Sequence, residues 1–431
     1  MNTNFNCRRR ARAALLLACA CFAFNAGAAP LEPVLSLAAK EKAPLLETLK
    51  DLVSIESGSG DREGLDKIGE LIAGRLRALG GQVEMVEPNP ADIYPMVDTP
   101  KKPGRMVLAR FTGTGTKKIL LIAHMDTVYL RGMLANQPYR VDGNRAYGLG
   151  IADDKQGIAV ILHTLAVLKA MNFRDYGVVT VLINADEEVS SASSRAMLTK
   201  LGGEHDAVFS CEGTRVDSDR LSLTTAGIGA VVLNVQGRAS HAGSAPENGR
   251  NALYELSHQI LQTRDLSDPA TGLKMNWTVS SAGTNRNVIP AIATATADVR
   301  VLRIADYDGI EQKVRERIKN QLIPDTKVQM TFERRRPPLE LTAANAALAK
   351  HAQRIYSELG KSLTVGDVAE GGGTDAAFAA LKTSAPVIER FGLQGFGAHS
   401  NDAEYVYIDS IEPRLYLLTR MIMDVAQGKA R

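Results

Sequence analysis

Short apolar runs that stop at acids or histidines recur along this chain. Residues 119–122 run into His124 and Asp126, 178–183 into Asp186-Glu187-Glu188, and 207–209 into Glu212. A fourth run, 385–388, leads through a glycine-rich loop to His399, and Asp153-Asp154 opens the helix expected after the first run. Runs of this length and branching predict buried strands. In an open α/β sheet, the loops at the carboxyl ends of neighbouring strands converge on one crevice. Two imidazoles and several carboxylates are therefore expected together. Carboxylates crowded without cations repel one another and take up protons, so the pattern calls for divalent metal.

Other elements follow from the same periodicities. Residues 30–84 read as helical, with Leu45, Leu46, Leu49, Leu52 and Val53, then Leu65, Ile68, Leu71, Ile72 and Leu76, at helix spacing. Pro88, Pro90, Pro95, Pro100 and Pro103 make 87–105 a surface loop without a legible function. From 106 to 201 strands alternate with helices; the helix over 155–170 presents Ile158, Ile161, Leu162 and Leu165 on one face, and its His163 reads as a packing or surface residue. Beyond Arg220, strands are expected at 221–235, 274–281, 292–302 and 327–332, with helices at 251–263 and 307–322. That order is βαββαβ, the ferredoxin-like pattern, which stands as its own domain. The strand and helix character of 106–201 returns with a helix over 343–359 and with Gly371-Gly372-Gly373-Thr374-Asp375 opening another. The predicted fold is α/β: a mixed sheet covered by helices, built from 29–222 and 337–431, with a ferredoxin-like domain inserted at 223–336.

A chain of 431 residues, 45% hydrophobic, readily fills two domains. Arg8, Arg9, Arg10 and Arg12 precede an apolar stretch over 13–24 and Ala26-Gly27-Ala28, which together read as an export signal removed after residue 28. The stretch is shorter than the roughly 20 residues of a membrane span. The mature protein is expected to be periplasmic or secreted, without a membrane partner. Loss of four arginines and no acids takes the formal charge from +3 to −1, which argues against nucleic acid. Cys7, Cys19 and Cys21 leave with the signal, so Cys211 is alone and reads as a buried core thiol facing away from Glu212.

His124-Met125-Asp126 suits a metal site because a ligating imidazole usually gives its second N–H to a carboxylate, here Asp126. With Tyr147-Gly148, Gly150-Ile151-Ala152-Asp153-Asp154-Lys155, Asp186-Glu187-Glu188, Glu212, Ala239-Ser240-His241-Ala242-Gly243 and Gly371-Gly372-Gly373-Thr374-Asp375, the chain resembles the dinuclear zinc amidohydrolases. These include aminoacylase, succinyl-diaminopimelate desuccinylase and glutamate carboxypeptidase. Thr127-Val128-Tyr129, His399-Ser400 and Ala403-Glu404-Tyr405-Val406 look like the folate-cleaving glutamate carboxypeptidase branch.

The resemblance implies two zinc ions per subunit, one on His124 and Glu212, the other on Glu188 and His399, with Asp153 bridging. Cobalt or manganese would satisfy the same donors. It also implies a cis peptide at Asp153-Asp154 and makes Glu187 the general acid and base. His241 would reach the active site of a partner subunit and stabilise an oxyanion, which implies a homodimer formed through the inserted domain. Asn287 and Arg300 would help hold the carboxylate of a small-molecule substrate. Arg336 aligns with an arginine near the leaving amino acid's pocket in the glutamate carboxypeptidase branch, although the run Arg334-Arg335-Arg336 also reads as a solvated basic stretch. The loop through Gly373 and Thr374 offers N–H groups to an anion, although Thr374 equally suits a helix cap.

The implied activity is release of a C-terminal amino acid, glutamate in this branch, from folate-like or N-acyl substrates. A dipeptidase or N-acyl amino acid deacylase on the same scaffold is the alternative. Outside the enzymes, a periplasmic solute-binding protein shares export, low cysteine content and near-neutral charge. Three features depart from the family pattern: Gly213 where proline is common, Val189-Ser190-Ser191 in place of a glycine-containing segment, and the long loop 87–105.

Overall fold

The computed structural model describes residues 29–369, 371–400 and 403–430. The expected export signal, 1–28, lies outside them. The main sheet has six strands in the order Gln82–Val86, Met106–Thr112, Val178–Asn184, Lys118–His124, Ala207–Ser210 and Val387–Ile388. Met106–Thr112 runs antiparallel to its neighbours on both sides; from Val178–Asn184 onward neighbouring strands are parallel. Lys118–His124 sits near the centre and is buried on both faces, which explains why it is apolar without alternation. Leu121 packs into one cluster, under Gln156–Ala170 and Ile411–Ala426, while Leu120 and Ile122 pack into the other, under Arg195–Glu204 and Ala376–Ala380. This is the two-residue period of a strand used on both sides.

The second sheet is antiparallel, in the order Lys274–Ala282, Ile292–Val301, Gly227–Gln236 and Lys327–Arg336. Helices Ala252–Thr263 and Asp306–Arg317 cover it around Val231, Leu233, Leu256, Ile310 and Val314. Chain order is βαββαβ, as the sequence predicts. A bridge between Thr225 and Leu339 brings the two connections to the large domain side by side.

Several boundaries differ from expectation; one is the helix expected over 307–322, which ends at Arg317. The helical region is three helices, Val34–Lys40, Lys42–Val53 and Arg62–Ala78; the last stops before Gly80, at φ +103°, and Gln82–Val86 is an edge strand. The strand expected over 221–235 is broken: Arg220–Ser222 pairs with Thr364–Gly366, and a new strand starts at Gly227. The strand expected to end at 332 continues to Arg336, which carries that arginine to the domain junction. His163 has the packing role expected, its ring nitrogens meeting Thr48 and Glu41. No helix of the described residues is long and apolar enough to cross a membrane.

Candidate active site

His124 ends the central strand, and its Nδ1 lies 3.1 Å from the Asp126 carbonyl oxygen and 3.3 Å from Asp126 Oδ1. The Asp126 carboxylate is buried and accepts from Glu187 N–H at 3.0 Å, Glu188 N–H at 3.1 Å and the Ser59 hydroxyl at 2.8 Å. One carboxylate thus fixes both the imidazole and the turn carrying the two glutamates. Asp186 does the same for the segment after them, accepting from Ser193 N–H and from the Ser193 and Ser194 hydroxyls. Ser190 and Ser191 take left-handed φ values of 66° and 53° in this turn, where glycine would be relaxed.

The peptide between Asp153 and Asp154 is cis. Glu404 supports this segment, accepting from the N–H groups of Gly150, Ala152 and Asp153 at 2.9, 2.8 and 3.2 Å. Sequence reasoning gave Glu404 no role; its only signal was membership of the Ala403-Glu404-Tyr405-Val406 motif.

Asp153 then meets both imidazoles, Oδ1 at 3.0 Å from His124 Nε2 and Oδ2 at 3.3 Å from His399 Nε2. Glu188 Oε2 is 3.0 Å from the same His399 nitrogen. Donor atoms of Asp153, Glu188 and His399 lie within 4.8 Å of one another, so one ion could contact all three. His124 joins through Asp153, and Glu212 shares the cavity lining outside that tight group. Burial pushes the Glu188 carboxyl up to about 7 against the pull of His399, while hydrogen bonds to Asp153 and Glu188 push His399 up to about 10. Burial also raises Glu212, and Glu389, Glu187 and Asp153 reinforce the shift. Such a crowd of carboxylates and imidazoles, short of positive charge, fits divalent cations.

These groups open on a cavity of about 810 Å³ lined by Asp153, Glu187, Glu188, Glu212 and His399 on one side and by Arg300 and Arg336 from the inserted domain on the other. Arg336 is 4% exposed and binds Glu187 twice, Nη1 to Oε1 and Nη2 to the carbonyl oxygen at 2.5 Å. Burial opposes its charge, but Glu187 and Asp375 outweigh burial and raise its pKa. Gly373 lies against it so closely that a Cβ would sit 2.3 Å from Arg336 Cδ. Arg300 is held by Asp298 at 2.9 and 3.0 Å and donates to the Gly371 carbonyl at 2.7 Å.

Other candidates fall elsewhere. The Thr374 side chain is buried away from the cavity lining; its hydroxyl donates to Glu389 and accepts from Ala376 N–H at 3.1 Å, while Asp375, not Thr374, stands at the N-cap of the helix Ala376–Ala380. His241 and Asn287 are exposed on the inserted domain, neighbours through the pairing of Ser240–His241 with Val288–Ile289 and the Ala242 N–H to Asn287 carbonyl bond at 2.8 Å. Neither lines this cavity. Cys211 is fully buried and free, as expected.

A mixed α/β domain with a carboxylate-imidazole cluster at its strand ends, covered by an inserted ferredoxin-like domain, defines the class of two-domain metal-dependent peptidases and deacylases. The model of peptidase family M20/M25/M40 matches residues 120–424, and the chain belongs to that family. Carboxypeptidase G2 of Pseudomonas sp. (strain RS-16) is 44% identical over 421 residues, 97% of this chain and 99% of that protein. Acetylornithine deacetylase of Klebsiella pneumoniae (strain 342) is 32% identical over 240 residues, 52% of this chain and 56% of that protein. The M20 family metallo-carboxypeptidase of Sulfolobus solfataricus has the same fold at a TM-score of 0.71 and 16% identity, covering 89% of this chain and 99% of its own. The Bacillus subtilis YXEP protein, a dinuclear metal-binding peptidase, matches at 0.63 and 16%, covering 90% and 99%. The protein is an enzyme, a metallopeptidase-type hydrolase. These relatives give the solute-binding alternative no support.

Proposed function

We propose that this enzyme is an exported zinc exopeptidase that hydrolyses the amide bond before a C-terminal amino acid, glutamate above others, in folate-like or N-acyl substrates. The observation that carries the reading is Glu187, poised between the Asp153, Glu188 and His399 group and the cationic wall of Arg300 and Arg336. Near-full-length similarity to carboxypeptidase G2 supports a carboxyl-terminal cleavage.

His124 and Glu212 would hold one zinc, Glu188 and His399 the second, and Asp153 both; cobalt or manganese suits the same donors. Bound there, the metal pair would supply Lewis acidity toward water and the scissile carbonyl. Glu187 takes a proton from the attacking water and passes it to the departing nitrogen as the carbon–nitrogen bond breaks. Asp126 keeps His124 oriented and ties the Glu187 turn to it. Arg336 and Arg300 receive the carboxylate of the leaving residue, with the backbone at Gly373 packed behind the Arg336 stem. The Thr374 hydroxyl, engaged by Glu389, is left with a supporting role.

His241 and Asn287 are read as contributions to a neighbouring subunit, which makes the enzyme a homodimer joined through an inserted domain spanning 223–336. Their exposure outside their own subunit's cavity supports this. Residues 1–28 are read as the export signal, and the location as periplasmic or secreted.

Deacetylase relatives favour a second reading, an N-acyl amino acid deacylase or dipeptidase on the same scaffold. Release of glutamate from folate, measured against hydrolysis of simple acyl amino acids and dipeptides, separates the two. Absence of turnover with every C-terminal glutamate substrate removes the narrower reading.

A further inference from the structure

The proline-rich loop 87–105 is built into the domain junction. Tyr94 N–H donates to the Ala192 carbonyl at 2.9 Å, and the Tyr94 hydroxyl oxygen accepts Arg334 N–H at 3.3 Å. Val97 N–H donates to Glu333 Oε1 at 3.0 Å, and Asp98 pairs with Arg335 at 2.5 Å. Through Glu333, Arg334 and Arg335, the loop thus engages the strand end that delivers Arg336.

Arg195 completes this junction from the large domain. Its Nη2 donates to the Ser190 and Arg335 carbonyls at 2.7 and 2.8 Å, Nη1 to the Arg334 carbonyl at 3.3 Å, and Nε to the Ser191 carbonyl at 3.3 Å. The guanidinium lies over Tyr94 and Phe378, 4.2 and 4.8 Å from their ring centroids. A single side chain therefore joins the turn following Glu187 and Glu188, the strand end preceding Arg336, and the proline-rich loop. The turn needs that support, because Ser190 and Ser191 sit in a backbone region that non-glycine residues disfavour.

We propose that Arg195 and the loop 87–105 form an interdomain clasp whose task is to set Arg336 against Glu187. Arg195 is a positioning residue: it touches no reacting atom and acts through the two segments it binds. A planar fork with donors on three nitrogens can serve four carbonyls at once, whereas lysine, a point donor, cannot. Asp98 and Arg335 form a partly exposed ion pair, with 45% and 14% side-chain exposure, so they trim the fit more than they create it. The kinetic consequence rests on the reading of Glu187 as base; the clasp itself does not.

The test is a double-mutant cycle on the full-length, metal-loaded enzyme with an N-acyl glutamate substrate. Arg195→Ala is expected to lower kcat/KM at least tenfold in the native background and less than threefold in an Arg336→Ala background, where the group to be positioned is gone. Arg195→Lys is expected to recover only a minor share, and Asp98→Asn to give a smaller loss with the same dependence on Arg336. Amide hydrogen exchange in Arg195→Ala should rise at 187–191 and 333–336 while the remaining sheet is unchanged. If Arg195→Ala does not fold, Tyr94→Ala, which removes the ring under the guanidinium, is run through the same cycle. Equal losses in both backgrounds, or no loss, overturn the clasp. An active Glu187→Gln would remove the base reading alone, because the exchange pattern still reports on the clasp.

Discussion

Arg336 and Glu187, 149 positions apart and on different domains, are joined twice: Nη1 donates to the Glu187 carboxylate and Nη2 to its carbonyl oxygen at 2.5 Å. The proposed base and the proposed carboxylate anchor are thus one unit. A substrate carboxylate reaching Arg336 competes for a guanidinium that also holds the base. In the proposed mechanism, that contact would couple substrate binding to proton transfer.

Replacing Arg336 should therefore affect more than binding. Arg336→Ala is expected to lower kcat/KM for substrates with a free C-terminal carboxylate tenfold or more, following the roughly 1.5–3 kcal/mol of a charged hydrogen bond. Arg336→Lys should recover little, since lysine cannot bind in two-pronged fashion. Steady-state kinetics with the carboxylate substrate and its carboxamide counterpart check this: the carboxamide should also lose turnover, through the Glu187 contact, but less than the carboxylate, which loses its anchor as well.

Glu187→Gln preserves shape and removes the basic oxygen. Turnover is expected to fall by about 10²–10⁴, the usual worth of a positioned acid or base, with metal content unchanged. Metal analysis beside single-turnover kinetics distinguishes this from a structural role, in which metal and fold would be lost together.

Asp126 contacts His124 and both glutamate N–H groups of the next loop. Asp126→Asn is expected to weaken metal affinity about 10–100-fold, as loss of an outer partner of a ligand generally does. Competition with a chromophoric chelator measures it.

The metal-free cluster carries protons near neutrality. Glu188 is pushed up to about 7 by burial, and His399 up to about 10 by its bonds to Asp153 and Glu188. A cation must expel those protons, because only the deprotonated donors ligate. Binding should thus release at least one proton at pH 7, and affinity should fall as the pH is lowered, since more protons must then leave. Calorimetric titration of apoenzyme with zinc, in buffers of different ionisation enthalpy, counts them; no release would contradict the assigned ligands.

The elements holding the candidate ligands were legible because each strand is buried on both faces and so reads as an uninterrupted apolar run ending in a polar residue. The inserted domain was legible in its βαββαβ order. The strand Gln82–Val86 was not: it is a half-exposed edge strand of five residues following a strongly periodic helix, and its weak alternation was absorbed into that helix. Glu404 and the loop 87–105 were opaque for another reason. Glu404 supports a backbone segment about 250 positions away, and Asp98 finds Arg335 across a separation of 237, so no local pattern announces either contact. At Thr374 the hydroxyl is engaged by a buried Glu389 15 positions away, a partner that no local pattern announces.

The central claim is a pair of metal ions held between the imidazoles and carboxylates at the strand ends. Anomalous scattering at the zinc edge from crystals of zinc-loaded enzyme tests it most directly. Two peaks roughly 3.5–4 Å apart are expected, the spacing of two-metal hydrolytic sites, one beside His124 and Glu212, one beside Glu188 and His399, with Asp153 between them. A single peak, or peaks away from these five side chains, would contradict it.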